Sequence, residues 1–238
     1  MSSILVLGFL LGMRHALEAD HIAAVATLAT RSRSARQAVL QGVVWGLGHT
    51  ITLFLACAAA LFLEAVVPER LARGLEGAVG AMLIVLGADL LRRMWRDRIH
   101  FHVHRHGDGS VHLHAHSHAG DAGPRAPHQE RMHEHEHSGQ FPSRALYVGL
   151  MHGLAGSAAL ILLALTTIGS PVTGLIYVGL FGFGSICGMA VLSAAISVPL
   201  RSARRFTRLY AGAQATVGLT TIVIGSVLVY ENVNFLAA

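Results

Sequence analysis

Apolar residues run along this chain in blocks, several longer than the roughly 20 residues a helix needs to span a bilayer. Short clusters of arginine separate the blocks. They predict about six transmembrane helices, near residues 4–29, 37–63, 72–92, 145–169, 172–199 and 208–230. Between the third and the fourth lies a polar stretch. The chain therefore divides into a membrane unit at 1–92, a loop at 93–144 and a second membrane unit at 145–238. The expected fold class is an all-α integral membrane protein. The two membrane units also read as a divergent repeat. "GMRHALEADHIA" in the first helix lies over "GLMHGLAGSAAL" in the fourth, matching His15 with His152, and "WGLGHT" in the second lies over "FGFGSI" in the fifth. Three helices per unit force the second copy to be inverted, a plan that recurs in transporters with sites near the bilayer midplane.

Composition sharpens this picture. Hydrophobic residues make up 53% of the 238 and charged residues 13%, against about 25% charged in an ordinary soluble domain. Fifteen of the eighteen arginines fall on one side of the predicted six-helix arrangement, and only Arg70 and Arg73 on the other, with Arg14 inside the first span. The positive-inside bias places the 93–144 loop in the cytoplasm and both termini outside, in a multi-pass inner-membrane protein. The basic charge borders apolar segments, so a nucleic-acid partner is not expected. Cys57 and Cys187 lie within apolar segments and read as small hydrophobes rather than a disulfide. No small-residue cleavage pattern follows the first apolar run, so no cleavable signal is expected.

The chemistry concentrates in the first helix. Arg14, His15, Glu18, Asp20 and His21 fall within eight residues of an apolar span, each charge costing about 2.5–3.5 kcal/mol to insert at that depth. Such a cluster persists only where it is paired, hydrated or liganded. On an unbroken helix His15, Glu18 and His21 share a face, while Asp20 lies roughly 140° round from His15. Asp20 then either orients a ligand from behind or turns inward by local unwinding near Gly12. Imidazole and carboxylate donors suit divalent nickel, cobalt, zinc or iron. A structural ion-pair network with Arg14 is the alternative. His49 follows Gly46 and Gly48, which permit close helix approach, and reads as a ligand or gate beside this cluster. His152 lacks acidic neighbours and stands evenly between ligand and structural residue. Asp89, followed by Arg92 and Arg93, reads as interfacial, and Gln214 as a weak lining candidate.

The loop holds twelve of the sixteen histidines. His100, His102, His104 and His106, then His112, His114, His116 and His118, recur at the strand period. Asp108-Gly109-Ser110 between them is a turn signal. A pairing of His106 with His112 would put all eight histidines on one face of a metal-binding hairpin. A flexible metal-buffering tract fits the composition equally. Residues 119–140 are expected to be disordered.

"RHALEADHI" and the following "LGHT" at Leu47 to Thr50 resemble the two motifs of the nickel/cobalt transporter family, the high-affinity nickel permeases. The resemblance covers most of the membrane part. It implies that His15, Asp20, His21 and His49 lie on the metal pathway, with Glu18 at a position that is usually aspartate in the family. Well-known uptake permeases of that family carry about eight helices, one of them before the motif helix, whereas this chain begins at the motif helix. Related nickel/cobalt efflux proteins have about six helices and a large histidine-rich loop. The topology thus leans toward export and the Asp20-His21 pair toward import.

The expected function is secondary transport of nickel and/or cobalt, with zinc a further candidate, by alternating access at His15, Glu18, Asp20, His21, His49 and His152. The metal is substrate, and no cofactor is expected. The bilayer and the metal ion are the expected partners, and homo-oligomerisation is left open. No GxxxxGK[ST] motif is present to couple ATP, and no His-Glu-x-x-His or paired histidine boxes suggest an enzyme. A membrane metal sensor or storage subunit is the alternative of another class.

Overall fold

The structure, a computed structural model, describes residues 2–32, 34–63, 68–96, 100–105, 111–116, 142–155, 170–203 and 206–237. Seven helices lie among them: α1 (Ser2–His15), α2 (Ala19–Ala29), α3 (Ala35–Leu63), α4 (Glu69–Arg96), α5 (Ser143–Ala155), α6 (Pro171–Ala203) and α7 (Thr207–Ala237). Four of these, α3, α4, α6 and α7, are long and apolar enough to cross a membrane. Large apolar side chains such as Leu55, Val85, Val191 and Val223 face outward along them, as lipid contact requires and as water would penalise. The expected fourth span is described only as far as Ala155.

The first expected span departs from the reading above. It is not one helix over 4–29 but two, α1 and α2, parted at Ala16-Leu17-Glu18. Tight hydrogen bonds from Leu17 N to the Arg14 carbonyl and from Glu18 N to the His15 carbonyl end α1. Glu18 then takes an extended backbone, φ −67° and ψ 151°, as the N-cap of α2. The break sets His15 at the negative end of one helix dipole and Asp20 at the positive end of another, and an Asp20 oxygen accepts from the His21 amide at 2.9 Å.

Glycines set how the helices meet. A Cβ on Gly12 of α1 would collide with the Phe181 carbonyl of α6, and one on Gly149 of α5 with the Trp45 carbonyl of α3. In reverse, Gly184 of α6 abuts the Phe9 carbonyl of α1, and Gly48 of α3 abuts the Leu146 carbonyl of α5. These contacts run α1 parallel to α6 and α3 parallel to α5. Gly42 of α3 against Ser193 of α6, and Thr50 against Gly182, make α3 and α6 antiparallel. α4 and α7 also pack antiparallel, with Gly80 on the Gly225 carbonyl and Gly87 on the Gly218 carbonyl. The buried core gathers Ala24, Val25 and Leu28 of α2 with Trp45, Leu83 and Met189.

Between α4 and α5, two short strands, β1 (His100–Arg105) and β2 (Val111–His116), pair antiparallel. Their register sets His100 opposite His116, His102 opposite His114 and His104 opposite His112. The expected pairing of His106 with His112 is therefore displaced by two residues, which keeps histidine positions opposite histidine positions. His106, His118, the Asp108-Gly109-Ser110 turn and residues 119–140 lie outside the described residues.

Candidate metal site at the helix break

Four imidazoles converge where α1 gives way to α2. His15 ends α1 and His21 begins α2, with ring centroids 4.4 Å apart. His49 comes from the middle of α3, 5.2 Å from the His15 ring and 5.4 Å from the His21 ring. His152 of α5 lies 4.5 Å from His21. His21, His49 and His152 are buried, at 1%, 0% and 2% exposed. The close approaches at Gly149 and Gly153 bring α5 near enough to α3 for His152 to reach this point.

Two carboxylates orient the rings. Asp20 Oδ1 lies 3.0 Å from His21 Nδ1, and Asp20 Oδ2 lies 2.8 Å from His152 Nε2. Glu18 Oε1 lies 2.9 Å from His15 Nδ1. A carboxylate can only accept, so in a neutral imidazole each of these ring nitrogens carries the proton. The opposite nitrogens, His15 Nε2, His21 Nε2 and His152 Nδ1, are then lone-pair acceptors, and all three are buried without a partner. Both ring nitrogens of His49 are likewise unpartnered. Buried unpaired acceptors are costly, and carboxylate-backed imidazoles with free nitrogens are the arrangement metal-binding histidines adopt. One ligand atom from each of His15, His21 and His49 falls within 4.8 Å of the others, as does one from each of Asp20, His21 and His152.

Of the two positions left open for Asp20, the structure has it turned inward by a helix break, at Ala16-Leu17-Glu18 rather than at Gly12, where it bridges two histidines. Glu18 is peripheral, its side chain 58% exposed. Arg14, the cation that a structural ion-pair network would need, is exposed. Two neighbours of the cluster carry no role in the sequence reading. The Trp45 ring lies 5.4 Å from His21 and 5.6 Å from His152, and the Phe181 ring 5.3 Å from His15. The matched segments "WGLGHT" and "FGFGSI" contain both. Gln214 lies away from the cluster and donates to the Tyr210 hydroxyl at 3.1 Å. Asp89 pairs with Arg31 at the end of α2, and with Arg93 and Arg144 at 3.7 Å each. Burial first, then Arg93 and Arg144, pull the Arg31 guanidinium below its ordinary value, with Asp89 opposing.

The model of a family described as high-affinity nickel-transport protein matches residues 1–229. The chain belongs to this family. It is thus a membrane protein of nickel transport and a transporter rather than an enzyme. A urease accessory protein, UreH, of Bacillus sp. (strain TB-90) is 30% identical over 229 residues, covering 96% of this chain and 91% of the relative. No solved structure matches.

Proposed function

We propose that this nickel-transport protein is a secondary transporter that carries nickel and/or cobalt by alternating access at His15, Asp20, His21, His49 and His152. The observation that supports this most is the set of unpartnered ring nitrogens from four separate helical segments, three of the four imidazoles backed by carboxylates. Neutral imidazole and carboxylate bind a borderline divalent ion and disfavour magnesium or calcium. Glu18 acts at the rim through His15.

The reading includes two inverted three-helix units. Reciprocal contacts support it: exchanging α1 with α5, α3 with α6 and α4 with α7 carries the approaches of Gly12 to Phe181, Gly184 to Phe9 and Gly46 to Ile186 onto those of Gly149 to Trp45, Gly48 to Leu146 and Gly182 to Thr50. Rocking one unit against the other would expose the site to either side in turn. The arginine bias supports an inner-membrane orientation with both termini outside and the histidine-rich loop in the cytoplasm. There the β1–β2 pair would serve as a metal-binding hairpin, gathering ions on their way out or buffering them on arrival.

Metal flux in proteoliposomes tests the core of this reading, with wild type beside His21→Ala, nickel, cobalt and zinc supplied, and a pH gradient imposed in each sense. Flux of nickel or cobalt that falls to the level of empty liposomes in His21→Ala is expected, and the sign of the pH effect assigns direction. Equal flux in the two proteins would reject the site.

A further inference from the structure

Beside the histidines lies a cavity of about 300 Å³, lined by His15, Glu18, Asp20, His21 and His152, and by Glu76 of α4. Glu76 sits about two turns in from the start of α4, on a helix that otherwise gives the cavity only Val79. Its side chain is 39% exposed, so it meets water as well as the site. Its pairing is loose. Arg73 Nη1 stands 3.7 Å from Glu76, and the same guanidinium lies 3.7 Å from Glu69 and 4.8 Å from the centre of the Phe235 ring. A shared, part-exposed pair of this kind is weak. Among the described residues, the cavity lining holds Glu18, Asp20 and Glu76 and no arginine. A second, independent feature points to a cation: His21 and His152 line the same cavity, are almost wholly buried, and each keeps a ring nitrogen without a partner.

We propose that Glu76 is the loading carboxylate of the pathway, the first protein oxygen to hold a partly hydrated divalent cation before it passes to Asp20 and the histidines. This rests on the transport reading above and adds a residue and an order to it. A hard, part-exposed carboxylate can exchange water for oxygen while the ion keeps most of its hydration shell. The buried imidazoles then complete the exchange where nitrogen ligands favour nickel and cobalt. Its charge also concentrates cations at the mouth of the cavity.

The opposite side is built differently. The reciprocal glycine contacts of α4 and α7 exchange Gly80 with Gly218 and Gly87 with Gly225, which carries Glu76 onto Gln214. Gln214 is neutral and is engaged by Tyr210. The loading charge therefore belongs to one side of the protein, the side at which α4 begins.

Stopped-flow absorption of cobalt binding to the purified full-length protein in detergent tests this, because imidazole ligation changes the visible spectrum of the ion. Glu76→Gln is expected to slow association about tenfold at low salt, with the dissociation rate and the final bound spectrum unchanged. The difference should shrink as salt rises. Glu76→Asp should recover much of the rate, and Arg73→Gln should exceed wild type. The loop histidines would take up cobalt as well, so the phase that counts is the one wild type shows and His21→Ala lacks. A wild-type rate of that phase in Glu76→Gln would overturn this proposal alone. His21→Ala identical to wild type in every phase would overturn the histidine site and this proposal with it. If Glu76→Gln does not fold, an Arg73→Gln rate equal to or below wild type rejects the loading role.

Discussion

Asp20 accepts from two imidazoles at once, one on each carboxylate oxygen. That single residue therefore sets the ring orientation of His21 and of His152. Asparagine at this position keeps the shape but turns an amide NH₂ toward one ring N–H, so one histidine loses its orienting acceptor. Loss of such a partner costs about 10–100-fold in metal affinity. Nickel titration calorimetry, read for the binding that His21→Ala removes, is expected to show a loss of that size in Asp20→Asn and a much smaller one in Glu18→Gln, whose carboxylate is largely exposed and serves His15 alone. The reverse ranking would mean that Glu18, on the face an unbroken helix shares with His15 and His21, outweighs Asp20. Glu18 and Asp20 were both legible as candidates in the sequence. Their ranking was not, because it depends on a backbone break that an ideal helix does not contain.

At the scale of elements, the site depends on α5 lying against α3. Gly149 and Gly153 make that approach possible, since a Cβ at either would run into the backbone of α3 at Trp45 or His49. Gly149→Ala is expected to force the helices apart, at about 1–3 kcal/mol for overpacking, and to withdraw His152 from Asp20. Thermal unfolding in detergent should show a lowered midpoint together with weaker nickel binding. Gly179→Ala is the control: no atom lies within 4 Å of its Cβ position, and alanine favours a helix by about 1 kcal/mol over glycine. Its midpoint should hold or rise. Two variants alike in their loss would show that α5 is not positioned by this contact. The repeated glycine spacing was visible in "GLMHGL" and "GFGSI", but which glycine meets which carbonyl was not.

Across the whole molecule, charge ties distant segments together at one carboxylate. Asp89 gathers Arg31 from the end of α2, Arg93 from its own helix and Arg144 from the start of α5. One carboxylate thus ties together the segments on both flanks of the histidine-rich loop. In Asp89→Asn the three guanidinium groups face one another without a counter-charge. Pairs of this exposure contribute about 0.5–1 kcal/mol, so hydrogen exchange at the last turn of α2 and the first turn of α5 is expected to quicken about two- to fivefold. Unchanged protection there would mean that packing alone holds these segments together. Asp89 was read from sequence as interfacial with Arg92 and Arg93 as its company. Arg31 and Arg144, far away in the chain, are partners that only the fold supplies.

Local chemistry settled much of this protein without any structure. Apolar blocks that exceed the span of a bilayer identified a membrane protein, and ionisable residues inside the first of them pointed to a cation site, because burying such groups without a ligand or partner is too expensive. His15, Asp20 and His21 were named on that ground, His49 for the glycines that bring it beside them and His152 by the repeat, and the first four on the family motifs as well. Tertiary structure decided how they meet. It broke the first helix at Ala16-Leu17-Glu18, turned Asp20 between His21 and His152, and set Trp45 and Phe181 against the rings. It also placed Glu76 on the same cavity. The reason is range: hydrophobic period and charge cost are properties of neighbouring residues. Convergence of four helical segments depends on backbone contacts between residues more than a hundred positions apart.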